Sequence, residues 1–178
     1  MDSRSIILWT AGLVFVGLLT SASVADWRSR RIPNPIVLTL LVLGVCASLA
    51  LRPEIAAVRQ SLVAAALGFA IWIPFYALRV MGAGDVKLFA AGAAWLTPTL
   101  VIQALLITAA AGGVLALGWL ISEFGLGFTA LRLGHLLRRP GIAFDKSLAM
   151  PAGQRHIPYG VAMSIGLASA WWLGAAAH

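Results

Sequence analysis

Charged residues and cysteine are scarce in this sequence. Asp, Glu, Lys and Arg together make up only 11% of the 178 residues, whereas soluble globular domains average about 25%, so water is not the main solvent of this chain. Its only cysteine, Cys46, falls inside an apolar stretch, which excludes an internal disulfide and a cysteine-based zinc cluster. The histidines His135, His156 and His178 are isolated in the sequence, so we expect neither a metal site nor another cofactor.

Apolar residues dominate instead, at 61% of the chain with a mean hydropathy of +0.93. They are concentrated in six runs that are long enough, or nearly long enough, to cross a bilayer. The runs cover residues 6–25, 36–51, 55–78, 86–96, 99–121 and 157–177. This pattern predicts an all-α fold, a polytopic membrane helix bundle of about six transmembrane helices, with residues 1–178 forming a single integral membrane domain. The fourth run is short, which favours a tilted or half-membrane helix.

The first run ends in small residues, Ser21–Ala25, of the kind that precede a signal-peptidase cleavage site. The residues before this run carry no net charge, and the run itself is longer than a typical signal core. Both features favour a retained membrane helix over a cleaved signal.

The net charge of +7 comes mainly from Arg and Lys in the segments between the apolar runs. No basic surface with interleaved aromatic residues is present, which argues against nucleic-acid binding. Cytoplasmic loops of membrane proteins are rich in Arg and Lys and contact anionic lipid headgroups. The basic segments follow the first run, precede the fourth and fill residues 122–156. We therefore expect these segments to be cytoplasmic, both chain ends to lie outside the cytoplasm, and membrane lipids to be partners.

Residues 122–156 form the longest stretch outside the apolar runs. Between Phe128 and Leu137, large apolar residues alternate with basic ones, a pattern typical of an amphipathic helix in the membrane interface. The alternative is a plain cytoplasmic connecting loop.

Two of the six acidic residues stand at the cytoplasmic ends of apolar runs. Asp26 begins the segment Asp-Trp-Arg-Ser-Arg-Arg-Ile-Pro-Asn, and Asp85 lies 59 positions later in Gly-Ala-Gly-Asp-Val-Lys-Leu. Ionisable groups beside the hydrocarbon are costly, so they commonly mark a functional site or a buried pair. Each aspartate alone is also compatible with a helix-end or topology role.

Two neighbouring carboxyl groups can hydrolyse a peptide bond without a covalent intermediate. The ionised carboxylate takes a proton from water, and the protonated carboxyl donates to the carbonyl oxygen. Repulsion between the two raises the proton affinity of one of them, so the pair titrates as a unit.

Glycines and prolines surround both aspartates. Gly82 and Gly84 are expected to provide φ values and a close backbone approach that other residues do not allow, so that an extended substrate can lie beside Asp85. Pro33 and Pro35 are expected to stiffen the turn after the first run and to delay the start of the next helix.

The two segments resemble the hallmarks of the type IV prepilin peptidases, which are membrane aspartic proteases of the GxGD type. In that family one aspartate precedes an Ile-Pro-Asn by a few residues, as Asp26 does here, and a second lies in Gly-x-Gly-Asp-x-Lys-Leu, as Asp85 does. Residues 157–160, Ile-Pro-Tyr-Gly, resemble the start of the family's C-terminal helix. The resemblance implies that Asp26 and Asp85 are catalytic and that Gly82, Gly84, Lys87, Pro33 and Asn34 are motif or substrate-positioning residues.

The resemblance also implies a substrate and a location. Family members remove the short basic leader of prepilins at the cytoplasmic face of the bacterial inner membrane. Their larger, bifunctional relatives carry an N-terminal domain with paired Cys-x-x-Cys motifs and methylate the new N-terminus. This chain has one cysteine and no such domain, so it resembles the short protease-only branch of Flp-type, tight-adherence pili, and we expect no methyltransferase activity. Archaeal preflagellin peptidases share the motifs and remain an alternative.

Two other functions remain open on the residues alone. Asp26 and Asp85 can serve as a proton relay in a small proton-coupled transporter, or the chain can be a non-enzymatic pilus assembly factor in which the pair is dispensable. A relay predicts carboxylates near the middle of the membrane along a polar path. Both aspartates lie instead at the ends of apolar runs, which favours the hydrolase.

Overall fold

The computed structural model describes residues 3–29, 31–79, 81–138 and 159–176. Within these ranges the chain forms six helices and no strand. The helices are α1 (Ser3–Ser29), α2 (Asn34–Leu51), α3 (Ile55–Ala77), α4 (Ala83–Ala93), α5 (Pro98–Arg138) and α6 (Tyr159–Ala176). The predicted all-α class is confirmed.

Four of these helices contain a segment long and apolar enough to cross a membrane. The segments are Ser5–Ser29, Asn34–Leu51, Ile55–Ala77 and Pro98–Ser122. α6 has 18 residues and α4 has only 11, and 11 residues rise about 16 Å, roughly half of the ~30 Å hydrocarbon thickness. The predicted membrane helix bundle is confirmed, and its fourth helix is short, as the sequence indicated.

Proline placement decides where α2 begins. Pro33 is the N-cap residue with extended angles (φ −62°, ψ 130°), and Pro35 lies in the first helical turn, where no N–H donor is needed. The helix therefore starts at Asn34, between the two prolines. The helix thus begins only after Pro33, as expected, whereas Pro35 does not delay it, because a proline in the first turn fits helical geometry.

The chain divides into two compact units. The first comprises Met1–Gly112 and Pro158–His178, and the second comprises Gly113–Ile157. In the second unit α5 is interrupted at Gly125 (φ 79°, ψ 163°) and is helical again up to Arg138. Residues 122–138 are thus helical apart from Gly125, while residues 139–156 lie outside the described ranges. The interfacial position of this segment stays a prediction. The organisation as a single domain stays a prediction.

The core of the first unit forms around α4. Six of its eleven residues are buried. Fully buried side chains of α1, α2 and α6 belong to the same core: Phe15, Leu40, Met163 and Leu167. Directly after α4, the Trp95 Nε1 donates to the Leu40 carbonyl (2.8 Å), and the Trp95 ring stacks on Phe15 at 4.8 Å. This packing fixes the position of α4 and hence of its first turn, which carries Asp85.

The outer faces of the first unit carry large apolar side chains. Leu13, Leu38 and Leu106 are each more than 60% exposed. An apolar surface of this kind is rare on soluble monomers and is suited to contact with lipid. The chain is thus a membrane protein by both its helix lengths and its surface.

Candidate active site

Asp26 lies in the last turn of α1, where its side chain is half-buried. Its Oδ2 accepts a hydrogen bond of 3.1 Å from the N–H of Gly160, in the first turn of α6. The first N–H groups of a helix have no acceptor within the helix, and the helix dipole favours negative charge there. Residues that are 134 positions apart in sequence are thereby joined at one carboxylate.

Asp85 is the third residue of α4, and its side chain is also half-buried. Its Oδ2 accepts a hydrogen bond of 3.3 Å from the N–H of Gly82, the residue that precedes the helix. A carboxylate in the first turn of a helix is favoured by the free N–H groups and the helix dipole. The start of α4 therefore determines where this carboxylate points.

The two motif glycines do not use unusual backbone angles. Gly82 is extended (φ −78°, ψ 151°), and Gly84 lies within α4. Among the described glycines, only Gly125 has a positive φ. The expectation that Gly82 and Gly84 adopt φ values closed to other residues is therefore wrong, because α4 begins at Ala83 and the motif needs only an N-cap and ordinary helical angles.

The two carboxylates interact electrostatically. Burial, followed by the negative charge of Asp26, raises the pKa of Asp85 from its ordinary 3.8 to about 6, while the hydrogen bond from Gly82 lowers it. A charge has such an effect only when the two groups are close and poorly screened. The structure thus brings the two aspartates together, although α1 and α4 are separated by two complete helices in the sequence.

The segments around the aspartates also touch each other. A Cβ added to Gly84 would lie 3.5 Å from the Cβ of Ile32, which is ordinary van der Waals contact. Ile32 belongs to the Ile-Pro-Asn segment that follows α1. The two sequence motifs therefore meet at the start of α4.

The first turn of α6 is a third part of the site. Gly160 binds Asp26 as described, and the preceding residue, Tyr159, is half-buried and interacts electrostatically with Asp85. Sequence reasoning treated residues 157–160 only as the start of the last helix. The signal that could have found them is their position, since the last run begins on the same predicted side of the membrane as the two aspartates.

Comparison with known families identifies the family of this chain. A profile described as the type IV leader peptidase family matches residues 13–117, which is more than half of the chain. The chain belongs to the type IV leader peptidase family. Comparisons with curated proteins and with solved structures gave no match.

The family match includes both aspartates and both motifs and ends within α5. α6 lies outside it, so the position of Tyr159 and Gly160 beside the aspartates is seen in the tertiary structure alone. The family assignment makes the chain a peptidase, and the geometry places two interacting carboxylates at one end of its helices.

The other predicted positioning residues form no hydrogen bond with either aspartate within the described ranges. Pro33 and Asn34 are exposed at the start of α2. Lys87 is exposed and is not among the groups that shift the pKa of Asp85. Two residues along a helix are rotated by about 200°, which turns Lys87 away from the side of α4 that carries Asp85.

The described residues contain no group of three or more His, Cys, Asp or Glu side chains that could hold a metal ion. The side chain of His135, and both His156 and His178, lie outside the part that is described. Within the described ranges, the chemistry of the site rests on two carboxylates, one phenol and backbone N–H groups.

A cavity of about 420 Å³ lies at the other ends of the same helices. Its lining includes Leu8 of α1, Leu51 of α2, Leu96 after α4 and Ala175 of α6. Neither aspartate lines it. This cavity is therefore separate from the candidate active site.

Proposed function

We propose that this peptidase is an aspartic endopeptidase that removes the leader peptide from prepilins at the cytoplasmic face of the membrane. The observation that carries the proposal is the interaction between the carboxylates of Asp26 and Asp85 in a chain that belongs to the leader peptidase family. Two carboxyl groups that share a proton can activate water and polarise a carbonyl at the same time.

In the proposed reaction, a water molecule lies between the two side chains. The ionised carboxylate takes a proton from the water, and the water oxygen bonds to the carbonyl carbon of the peptide. At the same time the other carboxyl group gives its proton to the carbonyl oxygen. The carboxyl group that took the proton from water then gives it to the amide nitrogen, while the other carboxylate takes a proton back from one hydroxyl of the tetrahedral diol. The C–N bond breaks and releases a carboxylic acid and an amine. Both carboxyl groups then have their starting protonation, so the enzyme is unchanged.

The environments of the two aspartates support different roles. Asp85 holds the proton more readily, because burial and the charge of Asp26 raise its pKa to about 6, and it is the proposed acid. Asp26 accepts a hydrogen bond from the α6 N-terminus, which orients its carboxylate, and it is the proposed base.

The distribution of charge supports a cytoplasmic site. The basic segment Arg28–Arg31 directly follows Asp26, and such segments remain on the cytoplasmic side. The exposed backbone at Gly82, together with the exposed Pro33 and Asn34, leaves room for the extended leader of a membrane-anchored precursor. We propose that these residues position the substrate beside the aspartates, and that the exposed Lys87 positions it from another side of α4.

The composition supports the short branch of the family. The chain has one cysteine and therefore no Cys-x-x-Cys pair, so we propose that it carries no methyltransferase activity and needs no metal or other cofactor. We propose a Flp-type prepilin as substrate and the bacterial inner membrane as location.

The proposal is tested by replacing each aspartate. We expect Asp26→Asn and Asp85→Asn to reduce cleavage of a co-expressed prepilin below about one-thousandth of the wild-type rate, because asparagine can neither accept nor donate the required proton. Cleavage is followed by the shift in prepilin size on immunoblots, in a host that lacks its own prepilin peptidase.

The matched control is Glu54→Gln, which removes an exposed carboxylate between α2 and α3. All three variants should accumulate to wild-type levels, and Glu54→Gln should process normally. Normal leader removal by Asp26→Asn or Asp85→Asn contradicts the aspartic mechanism.

A further inference from the structure

The helix α6 meets the candidate site at its first turn, although it lies outside the stretch that identifies the family. We propose that this turn is a working part of the active site, in which the Gly160 N–H holds the Asp26 carboxylate in position and the Tyr159 hydroxyl donates a hydrogen bond to the carbonyl oxygen of the bound peptide. The inference rests on the proteolytic function proposed above and adds two residues to it.

The contact between Gly160 and Asp26 leaves no room for a side chain. A Cβ at residue 160 would lie 2.7 Å from Oδ2 of Asp26 and 3.1 Å from its Cγ. Real Cβ atoms essentially never approach other heavy atoms within 3.0 Å. Any larger residue at position 160 must therefore push either the Asp26 carboxylate or α6 away from this contact.

A hydrogen-bond network holds α1 and α6 in the register that this contact needs. One turn after Gly160, the Ser164 hydroxyl accepts a hydrogen bond of 2.8 Å from the Ser23 hydroxyl of α1. The Ser164 oxygen also lies 3.2 Å from the Leu19 carbonyl and 2.8 Å from the Gly160 carbonyl, either of which can accept its proton. Ser23 is three residues before Asp26, so the network fixes the turn of α1 from which this carboxylate projects.

Tyr159 contributes a phenol near Asp85. Its ring lies against α5, where a Cβ added to Gly112 would be 3.8 Å from Cε1. Its hydroxyl is close enough to Asp85 for the two groups to interact electrostatically. A neutral phenol is a hydrogen-bond donor at physiological pH, and a fixed donor near a carbonyl that gains negative charge stabilises the transition state.

The test compares four variants in the prepilin cleavage assay with purified, full-length protein in lipid vesicles. Gly160→Ala adds a methyl group where the Asp26 carboxylate lies. Gly166→Ala is its packing control on the same helix, because the added Cβ would collide with Thr108 of α5. Tyr159→Phe removes only a hydroxyl. Its control is Tyr76→Phe, since Tyr76 is the other tyrosine of the chain and is exposed on α3.

We expect Tyr159→Phe to lower kcat by about 10-fold to 100-fold with an unchanged KM, and Tyr76→Phe to match the wild type. We expect Gly160→Ala to lower kcat by at least about 100-fold, far more than Gly166→Ala, although the control's Cβ meets backbone atoms of α5 and should cost more thermal stability. A wild-type kcat for Tyr159→Phe, or a kcat loss for Gly160→Ala no larger than that of Gly166→Ala, overturns the inference.

The aspartate variants are measured in the same assay, which separates the two proposals. Inactive Asp26→Asn and Asp85→Asn beside a fully active Tyr159→Phe would reject the role of α6 and leave the aspartic mechanism standing. Active aspartate variants would reject the mechanism itself, and the role of α6 with it.

Discussion

At the residue scale, Asp85 is subject to opposing influences. Burial and the charge of Asp26 favour its neutral form, and the hydrogen bond from Gly82 favours its charged form. The first two dominate, since the pKa rises to about 6. A carboxyl group that keeps its proton up to about pH 6, well above the range of an ordinary aspartate, is suited to donate it to a peptide carbonyl.

This shift predicts the pH dependence of cleavage. Asp85 is protonated below its raised pKa and loses the proton as the pH increases, so kcat/KM should fall on the alkaline side of about pH 6, by roughly tenfold per pH unit. Initial rates of prepilin cleavage measured at constant ionic strength between about pH 4.5 and 8.5 check this.

The Glu54→Gln variant serves as the control for this profile and should reproduce the wild-type curve. An alkaline limb centred near the ordinary aspartate value of 3.8, or a rate that increases through neutral pH, would contradict the acid role of Asp85.

At the element scale, close packing around α4 decides where Asp85 lies. Gly44 of α2, Gly68 of α3 and Gly92 of α4 itself all lie where an added Cβ would come within 3.0 Å of a neighbouring side chain. Small residues allow helices in membranes to approach closely, because dispersion contacts replace the hydrophobic effect there. The short helix is thus held by its neighbours.

We expect Gly44→Ala to destabilise the protein by about 1–3 kcal/mol. Its Cβ would lie 2.7 Å from Trp95 Cδ1, and Trp95 is buried and hydrogen-bonded to Leu40, so the ring has little freedom to move. Thermal unfolding in detergent, followed by tryptophan fluorescence, measures the change.

Gly17→Ala is the matched control, because nothing lies within 4 Å of a Cβ added to Gly17 of α1. This variant should be neutral or up to about 1 kcal/mol more stable, since alanine is the better helix former. Equal unfolding temperatures for the two variants would show that the contact with Trp95 does not constrain α4.

At the scale of the whole molecule, the distribution of basic residues predicts one orientation in the membrane. The segment after α1 should face the cytoplasm, and the turn between α2 and α3 should face outward. The short α4 fits this arrangement, because a helix of about 16 Å ends well before the opposite surface. The cavity at its C-terminal end, lined by Leu96 and its neighbours, lies where the helix leaves space between α1, α2 and α6.

Cysteine labelling tests this orientation. In a Cys46→Ser background, Glu54→Cys should react with a membrane-impermeant maleimide added to intact cells, and Ser29→Cys should react only after the cells are opened. Both positions are exposed, so accessibility is decided by the membrane side. Labelling of Ser29→Cys in intact cells would show the opposite orientation, with the aspartates outside the cytoplasm.

The amino-acid sequence by itself determined the class of this protein. Apolar runs of membrane length form helices, because backbone N–H and C=O groups in lipid must be hydrogen-bonded within the segment. The patterns around Asp26 and Asp85 identify the family. The helix boundaries were less predictable, as α2 begins between Pro33 and Pro35 and α5 continues to Arg138, since capping and helix extension do not follow hydropathy.

Only the tertiary structure decided how the site is completed. The hydrogen bond from Gly160 to Asp26 joins residues 134 positions apart, and the position of Tyr159 near Asp85 depends on how α6 packs against α1, α4 and α5. Periodicity along one helix cannot predict such contacts. These contacts form where small residues allow two helices to approach closely. The approach depends on the shapes of both helix surfaces, which meet only when the chain folds.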